Sequence, residues 1–285
     1  MSGRLFVGMQ YLLPQHFLTS IVYSLTRARA QPVKNTLISS FVRHFKPDMS
    51  DALQPDPLAY GSFNEFFTRA LRDDARPADG DPRALVSPVD GTVSQLGPLD
   101  GSRLLQAKDI YYSVESLLGG NGDTAKDFAG GSFATLYLAP YNYHRIHMPL
   151  AGTLRAAWYT PGDLFSVNAT TAASVAGLFA RNERVACLFD GEHFRFAMIL
   201  VGALFVGSME TVWHGEITPR RPRRGAELHP EPRHAPLALP RGAEMGRFNM
   251  GSTVILLLPP GAARWHETLG PGTTIRVGQK LAQPS

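Results

Sequence analysis

Two stretches near the start of the chain repeat apolar residues at helical spacing. The first stripe comprises Leu18, Ile21, Val22 and Leu25, and the second comprises Leu37, Ile38, Phe41, Val42 and Phe45. Spacing of this kind predicts amphipathic helices. Their apolar faces fit two interpretations: they pack onto the rest of the protein, or they lie in an anionic membrane interface beside neighbouring Arg and Lys. The pattern alone favours packing.

Residues 47–84 are rich in proline, aspartate and glycine and contain one short helical pattern, over 62–71. The residues that share its apolar face are Phe63, Phe66, Phe67 and Ala70. Ser62 can cap the start of this helix, and Glu65 completes a capping box. We therefore expect one helix inside an otherwise turn-rich segment.

From residue 85 onward, short apolar runs alternate with Pro-Gly and Asp-Gly turns, a pattern typical of β-strands. The predicted strands are 85–86, 91–93, 133–138, 152–159, 184–189, 195–205, 254–258 and 274–277. Asp190-Gly191 lies between two of these runs and predicts a hairpin. Residues 219–240 hold six prolines and five arginines, which predicts a surface loop with solvated His229 and His234 rather than a strand or helix.

Composition narrows the class of protein. With 44% hydrophobic and 18% charged residues in 285, the chain is neither disordered nor a polytopic membrane protein. The single cysteine, Cys187, excludes an internal disulfide and a multi-cysteine zinc site, and its apolar flanks predict a buried thiol. The net charge is +4, but the first 50 residues alone carry +5. This concentration of charge argues against a nucleic-acid-binding protein, in which basic residues spread along one face.

Two segments carry side chains suited to chemistry. Ser87–Val93 is a turn that presents the carboxylate of Asp90 between two predicted strands, although Asp-Gly turns are common. Tyr141–Pro149 contains His144 and His147, and no nearby Asp, Glu or Cys completes a metal shell around them. We expect no metal there, and a general base fits this histidine pair better.

A third segment places Gly251-Ser252-Thr253 at the entry to an apolar strand. One interpretation is an ordinary turn that leads into the strand. The other is chemical: glycine has no side chain to shield its carbonyl, so Ser252 could attack its own upstream peptide bond if a base lay beside it.

Taken in order, these segments resemble the phosphatidylserine decarboxylase family, in its bacterial, membrane-associated type. The segments that carry the resemblance are Tyr60–Arg69, Ser87–Val93, Tyr143–Pro149 and Glu244–Ile255, with weaker support from Trp213–Pro219 and Gly278-Gln279. The chain departs from the family pattern at Met250, where Leu is common, and at Arg241, where Lys is usual. The resemblance implies an α+β fold: a mainly antiparallel β core of two packed layers with N-terminal amphipathic helices.

The resemblance implies a proenzyme that cuts itself between Gly251 and Ser252. Ser252 would be the nucleophile, His147 its base, and Asp90 the carboxylate that orients and stabilises the imidazole. The products would be a large chain, 1–251, and a small chain, 252–285. Ser252 would become a pyruvoyl group, a covalent cofactor that forms a Schiff base with phosphatidylserine and accepts electrons as carbon dioxide leaves, giving phosphatidylethanolamine.

Other residues have lesser roles in this scheme. His144 is the candidate proton donor in decarboxylation, and Tyr137 is a second candidate. Thr253 would support the turn or donate to the developing oxyanion.

Because phosphatidylserine resides in a bilayer, the resemblance shifts the interpretation of the basic start of the chain. Residues 1–46 would be membrane-associating helices on an anionic bilayer surface, and 47–285 the catalytic domain. The implied location is the cell membrane, peripheral on its cytoplasmic face. The implied partners are phosphatidylserine and the two chains of one precursor, with a homodimer allowed and no nucleic acid.

Three other interpretations stay open. A carrier module of the hammerhead type uses similar Asp-Gly turns but needs a lysine at a hairpin tip, and no lysine here has that setting. A pyruvoyl decarboxylase of a soluble amino acid would share the Ser252 chemistry but would have no use for the basic amphipathic start. An inactive relative would be expected to have lost Asp90, His147 or Ser252, and the chain keeps all three.

Overall fold

The computed structural model describes residues 3–205, 208–217, 225–228, 236–251 and 253–285. The helices are α1 (Gly3–Leu12), α2 (Gln15–Thr26), α3 (Gln31–Phe45), a 3₁₀ turn (Pro57–Ala59), α4 (Phe63–Phe67), α5 (Val114–Leu117), α6 (Gly122–Lys126), α7 (Ala169–Ala172) and α8 (Leu178–Arg181). The strands are β1 (Leu85–Val86), β2 (Gly91–Pro98), β3 (Arg103–Ala107), β4 (Ile110–Ser113), β5 (Ser132–Tyr137), β6 (Arg145–His147), β7 (Gly152–Thr160), β8 (Arg184–Gly191), β9 (Arg195–Val201), β10 (Met209–Thr211), β11 (Gly215–Ile217), β12 (Ala226–Glu227), β13 (Ala238–Leu239), β14 (Glu244–Phe248), β15 (Thr253–Leu258), β16 (Ala263–Trp265), β17 (Thr274–Ile275) and β18 (Lys280–Pro284).

A large antiparallel sheet forms the centre of the protein, in the order β12-β7-β8-β9-β15-β5-β2-β17, with β13 also paired to β7. Strand β15 lies in its middle, between β9 and β5. Every residue of β15 is buried, and successive side chains enter opposite cores. A run of apolar residues without polar alternation is what a strand covered on both faces requires.

Different layers cover the two faces of this sheet. One core joins it to the smaller sheets β11-β10-β14-β6 and β1-β18-β16, through side chains such as Met245, Phe248 and Leu281. The other core joins it to the β3–β4 hairpin and the short helices, through side chains such as Leu104, Phe128 and Phe179. The predicted α+β class, with an antiparallel core and N-terminal helices, is confirmed. The sequence did not predict the short helices of the second face.

The predicted hairpin is confirmed, because β8 and β9 pair up to Asp190 and Arg195. Other boundaries differ: β9 ends at Val201 rather than at 205. The prediction that 219–240 contains no strand is wrong at 226–227 and 238–239, since β12 and β13 both pair with β7. The backbone groups of these short segments complete the sheet edge, which their composition does not reveal. His229 and His234 lie outside the described residues.

Helix α4 is shorter than the predicted helix over 62–71. Its start is as expected: Ser62 Oγ accepts a hydrogen bond from the Glu65 amide at 3.1 Å, and Glu65 Oε2 accepts one from the Gly61 amide at 3.0 Å. The helix ends at Phe67, and four residues later Leu71 forms an isolated bridge with Ala52. Long-range pairing therefore replaces the last predicted turn.

The two N-terminal stripes behave differently. The α3 stripe is largely core, because Ile38 and Phe41 pack against Phe63, Phe66 and Phe67 of α4. The stripe of α2 is largely solvent-facing, and a separate set of polar residues makes the contacts with the protein. The buried polar residues of α1 and α2 are Gln10, Gln15, Thr19 and Thr26, whereas Leu12, Phe17, Ile21 and Leu25 are exposed.

Paired amides explain why polar residues face inward. Gln15 Oε1 accepts a hydrogen bond from the Leu164 amide at 2.7 Å, and Gln10 Oε1 accepts one from the Ser166 amide at 2.8 Å. Buried polar groups paired in this way fix the rotation of both helices. Within the described ranges, no helix combines the length and apolar character needed to cross a bilayer.

Cys187 lies fully buried in β8, as predicted. Burial raises the pKa of its thiol, because a thiolate would lose its hydration there.

Candidate active site

Asp90 follows a tight turn at the start of β2 and is almost fully buried. Ser87 Oγ donates to the Val89 carbonyl at 2.7 Å and so closes the turn. Asp90 Oδ1 accepts a hydrogen bond from the Val277 amide at 2.8 Å. The turn and this long-range contact together fix the position of the carboxylate.

Arg76 is the ionic partner of Asp90. Its Nε lies 3.0 Å from Asp90 Oδ1 and its Nη2 lies 2.6 Å from Asp90 Oδ2, a bidentate pair. Arg76 Nη1 also donates to Asp51 Oδ2 at 2.7 Å. Burial opposes the charge of Arg76, but the hydrogen bonds to both carboxylates raise its pKa overall. The structure therefore pairs Asp90 with an arginine, and it shows no hydrogen bond between Asp90 and His147.

His147, at the end of β6, is held by two other groups. Its Nδ1 lies 2.8 Å from the Gly242 carbonyl, which only accepts, so Nδ1 carries the proton. In the neutral ring Nε2 then accepts from Tyr143 Oη at 3.0 Å. Burial lowers the pKa of His147, opposed by the Gly242 hydrogen bond, then by the charge of Glu244 and, most weakly, by the charge of Asp90. His147 is thus a neutral imidazole with its basic nitrogen directed at a phenol.

His144 is the histidine next to the predicted cleavage site. It is fully buried, and its Nδ1 donates to the Asn142 carbonyl at 3.0 Å. Its Nε2 has no hydrogen-bond partner among the described residues, and a Cβ built on Gly251 would lie 3.4 Å from it. Burial and the charge of Arg69 lower the pKa of His144 well below its usual value. His144 is therefore a neutral ring with a bare lone pair beside Gly251.

An apolar cavity of about 330 Å³ opens at Gly251. Its walls include Phe41 and Phe45 of α3, Tyr137 at the end of β5, and Met250. Burial raises the pKa of Tyr137. The cavity connects the predicted cleavage site to the helices at the start of the chain.

The remaining predicted site residues are placed as follows. Ser252 lies outside the described residues, between Gly251 and β15. Thr253 is buried as the first residue of β15, and its hydroxyl has no hydrogen-bond partner in the described part of the chain.

Comparisons with known proteins decide the family. A family model described as phosphatidylserine decarboxylase matches residues 63–283, and a second model, described as PSD, matches residues 5–46. The chain belongs to the phosphatidylserine decarboxylase family. This membership confirms the resemblance and the decarboxylase activity in phospholipid synthesis that the sequence implied.

Relatives match the chain from end to end. The phosphatidylserine decarboxylase proenzyme of Bordetella pertussis is 51% identical over 284 residues, 100% of this chain and 96% of the relative. The proenzyme of Stutzerimonas stutzeri is 52% identical over 283 residues, 99% of this chain and 95% of the relative. The proenzyme of Pseudomonas putida is 51% identical over 284 residues, 100% of this chain and 99% of the relative.

Sequence reasoning missed the groups that hold the predicted residues. Arg76 lies in a segment without a distinctive pattern, the Gly242 carbonyl is a backbone atom, and Tyr143 was not assigned a role. Tyr143 could have been found, because it lies four residues before His147 in the segment Tyr143–Pro149 that carries the family resemblance. Arg76 could not, since only the fold brings it to Asp90.

Proposed function

We propose that this decarboxylase is a proenzyme that cuts itself at Gly251–Ser252 and converts Ser252 into a pyruvoyl group. Family membership and the proenzyme relatives support self-cleavage, and the observation that carries the position of the reacting group is the bare Nε2 of His144 beside Gly251. A buried lone pair without a hydrogen-bond partner lowers the stability of the fold, and such groups are expected at functional sites. The products would be the chains 1–251 and 252–285.

For self-cleavage we assign Ser252 as nucleophile and His147 as its base. Attack of the Ser252 hydroxyl on the Gly251 carbonyl forms a C–O bond and breaks the C–N bond, and the hydroxyl proton is passed to the departing nitrogen, which leaves an ester. Elimination across Cα–Cβ of residue 252 then releases Gly251 as a free carboxylate, and water hydrolyses the remaining dehydroalanine to the pyruvoyl group and ammonia. The base transfers the first proton through its Nε2. In this structure Nε2 of His147 accepts a hydrogen bond from the Tyr143 hydroxyl, so Tyr143 must release it before His147 can accept the Ser252 proton. Asp90 would stabilise the resulting imidazolium through its field, while the Gly242 carbonyl orients the ring.

The residues around Gly251 fit the pyruvoyl group. An unpartnered, fully buried imidazole nitrogen and an apolar cavity adjoin that position. The group would supply an electron sink for the departing carboxylate. His144 is neutral in the folded chain because burial lowers its pKa, so it would take up a proton at Nε2 only when the negative charge of the bound substrate offsets that burial, and it would then donate this proton to the carbanion.

We propose that phosphatidylserine reaches this site from a bilayer to which α1 and α2 attach, peripherally at the cell membrane. The exposed apolar side chains of these helices support attachment more strongly than the +5 charge does. Three of the six Lys and Arg residues in the first 50 positions interact with the protein itself: Arg27 pairs with Glu216, Arg29 pairs with Glu65, and Lys34 is buried. The cytoplasmic face and a homodimer stay predictions.

Denaturing mass spectrometry tests the proposal. The purified wild-type protein should give two chains cut before residue 252, with a pyruvoyl mass at the new N-terminus. Ser252→Ala should stay at the 31.1 kDa of the intact chain. The exposed Ser174 serves as the matched control, and Ser174→Ala should be cut like the wild type. A folded wild-type protein that stays uncut would overturn the proposal.

Variants of the two histidines separate their roles. His147→Ala should stop or greatly slow the cut, because it removes the base. His144→Ala should be cut but release little carbon dioxide from phosphatidylserine. Complete cutting of the His147 variant, or normal turnover by the His144 variant, would remove that residue from its assigned role.

A further inference from the structure

A polar cavity of about 220 Å³ lies next to the apolar cavity at Gly251. The chain passes directly from one to the other in two places: Phe45 lines the apolar cavity and Lys46 the polar one, and Pro140 and Tyr141 are divided in the same way. The polar cavity also adjoins both histidines. Its lining residue Asn142 accepts a hydrogen bond from His144, and Tyr143 contacts His147.

Arg69 is a wall of this cavity and is buried with unused donors. Arg69 is 4% exposed, and its one side-chain hydrogen bond to the described part of the chain runs from Nη2 to the Tyr141 carbonyl at 3.3 Å. Nε and Nη1 are sealed from solvent and have no partner among the described residues. A buried guanidinium in this state costs stability unless a ligand completes its hydrogen bonds.

The charges around the cavity favour an anion. Arg69 makes no ion pair with any described residue, and the same holds for Lys46 and Arg276, which line the cavity beside it. Two of the carboxylates there, Asp51 and Asp90, are committed to Arg76. The third carboxylate of the lining, Asp48, interacts with Arg276, whose charge helps to lower the pKa of Asp48. The lining therefore carries four cations and three carboxylates, an excess of one positive charge, and Arg69 is its buried cation without an ion-pair partner among the described residues.

We propose that this cavity is an oxyanion subsite in which Arg69 binds the phosphodiester of the substrate's headgroup. The inference rests on the proposed function, and it adds a residue that determines substrate specificity. A guanidinium fork matches two oxygens of a phosphate, and the neighbouring Lys46 and Arg276 add charge. The headgroup would extend from the reacting amine near residue 252 to the polar cavity.

Steady-state kinetics on phosphatidylserine in neutral detergent micelles test the assignment. Arg69→Gln should raise KM about ten- to hundredfold, the range expected for a lost charge-assisted hydrogen bond, and leave kcat within a few-fold. The KM of Arg69→Lys should lie between those of the wild type and Arg69→Gln, because lysine keeps the charge but lacks the two-pronged guanidinium. Arg103→Gln, an equal charge change on an exposed hairpin residue, is the control and should match the wild type. An unchanged KM in Arg69→Gln would overturn the proposal.

Two further readouts keep the result independent of folding defects. Inorganic phosphate should inhibit the wild type competitively and should not inhibit Arg69→Gln. Phosphate that binds at Arg69 without competing would indicate a free-anion site and would overturn the substrate assignment. Removing an uncompensated buried charge should leave Tm equal or higher, whereas a structural arginine would lower it. Mass spectrometry of each variant reports the cut, so a failure of self-processing is distinguished from a failure of binding.

Discussion

The exposed apolar face of α1 and α2 gives the sharpest prediction about membrane attachment. Leu12 is 86% exposed and Phe17 is 63% exposed, with Ile21 and Leu25 between 40 and 50% exposed on the same helix pair. Burial of a whole side chain of this size stabilises by about 2 kcal/mol. Scaled by exposure, Leu12 and Phe17 together should contribute about 3 kcal/mol, or about a hundredfold in vesicle partitioning.

The perturbation is the double variant Leu12→Ser with Phe17→Ser, measured by co-sedimentation with vesicles of phosphatidylcholine and phosphatidylglycerol. Neither side chain is part of a buried core, so we expect the fold to survive. The matched control replaces an exposed Leu and an exposed aromatic outside the helices, in Leu53→Ser with Tyr111→Ser. That control should bind vesicles like the wild type.

Two results would refute the reasoning. If the helix variant partitions like the wild type, the exposed face does not enter the bilayer. If the control loses as much binding as the helix variant, the loss reflects general surface polarity rather than this face. Circular dichroism of both double variants checks that each remains folded.

Three other predictions concern stability, measured by urea unfolding in the uncut Ser252→Ala background. The pKa of His144 lies well below the 6.5 of an unfolded histidine. The free energy of unfolding should therefore fall by about 1.4 kcal/mol for each pH unit below about pH 6.5, and His144→Gln should reduce that slope. An unchanged slope would contradict a buried neutral His144. Asp90→Asn should destabilise by about 3 kcal/mol because it leaves Arg76 half-paired, and a loss below 1 kcal/mol would show the pair to be solvated. Cys187→Ser should cost about 1–3 kcal/mol, since it buries a hydroxyl in an apolar core, and a neutral result would indicate a hydrogen-bond partner there.

The sequence predicted the strand-rich core and most strand positions, because apolar runs and turn pairs are local signals. The sequence also predicted that Asp90 orients the imidazole of His147, whereas in the structure Asp90 pairs with Arg76 and His147 contacts Gly242 and Tyr143. Arg76 lies 14 residues from Asp90, and Gly242 lies 95 residues from His147. Contacts of this range depend on strand order and register, which periodicity does not contain. The buried nitrogen of His144 is also a property of packing, since the same two-histidine spacing fits either ring at the cut.

The orientation of α2 shows why the amphipathic pattern needed the structure. Periodicity identifies an apolar stripe but does not say what the stripe contacts, because the same residues fit a core face or a membrane face. Gln15 at the start of α2 and Gln10 in the adjoining α1 decide between them, because their side-chain carbonyls accept hydrogen bonds from the Leu164 and Ser166 amides and so hold the polar side against the protein. Reversing the helix would bury the apolar stripe but leave those amides and backbone donors unpaired, at about 1–3 kcal/mol for each buried group. Two glutamines, one in each helix, that a hydrophobicity profile does not single out therefore determine which face of α1 and α2 stays exposed.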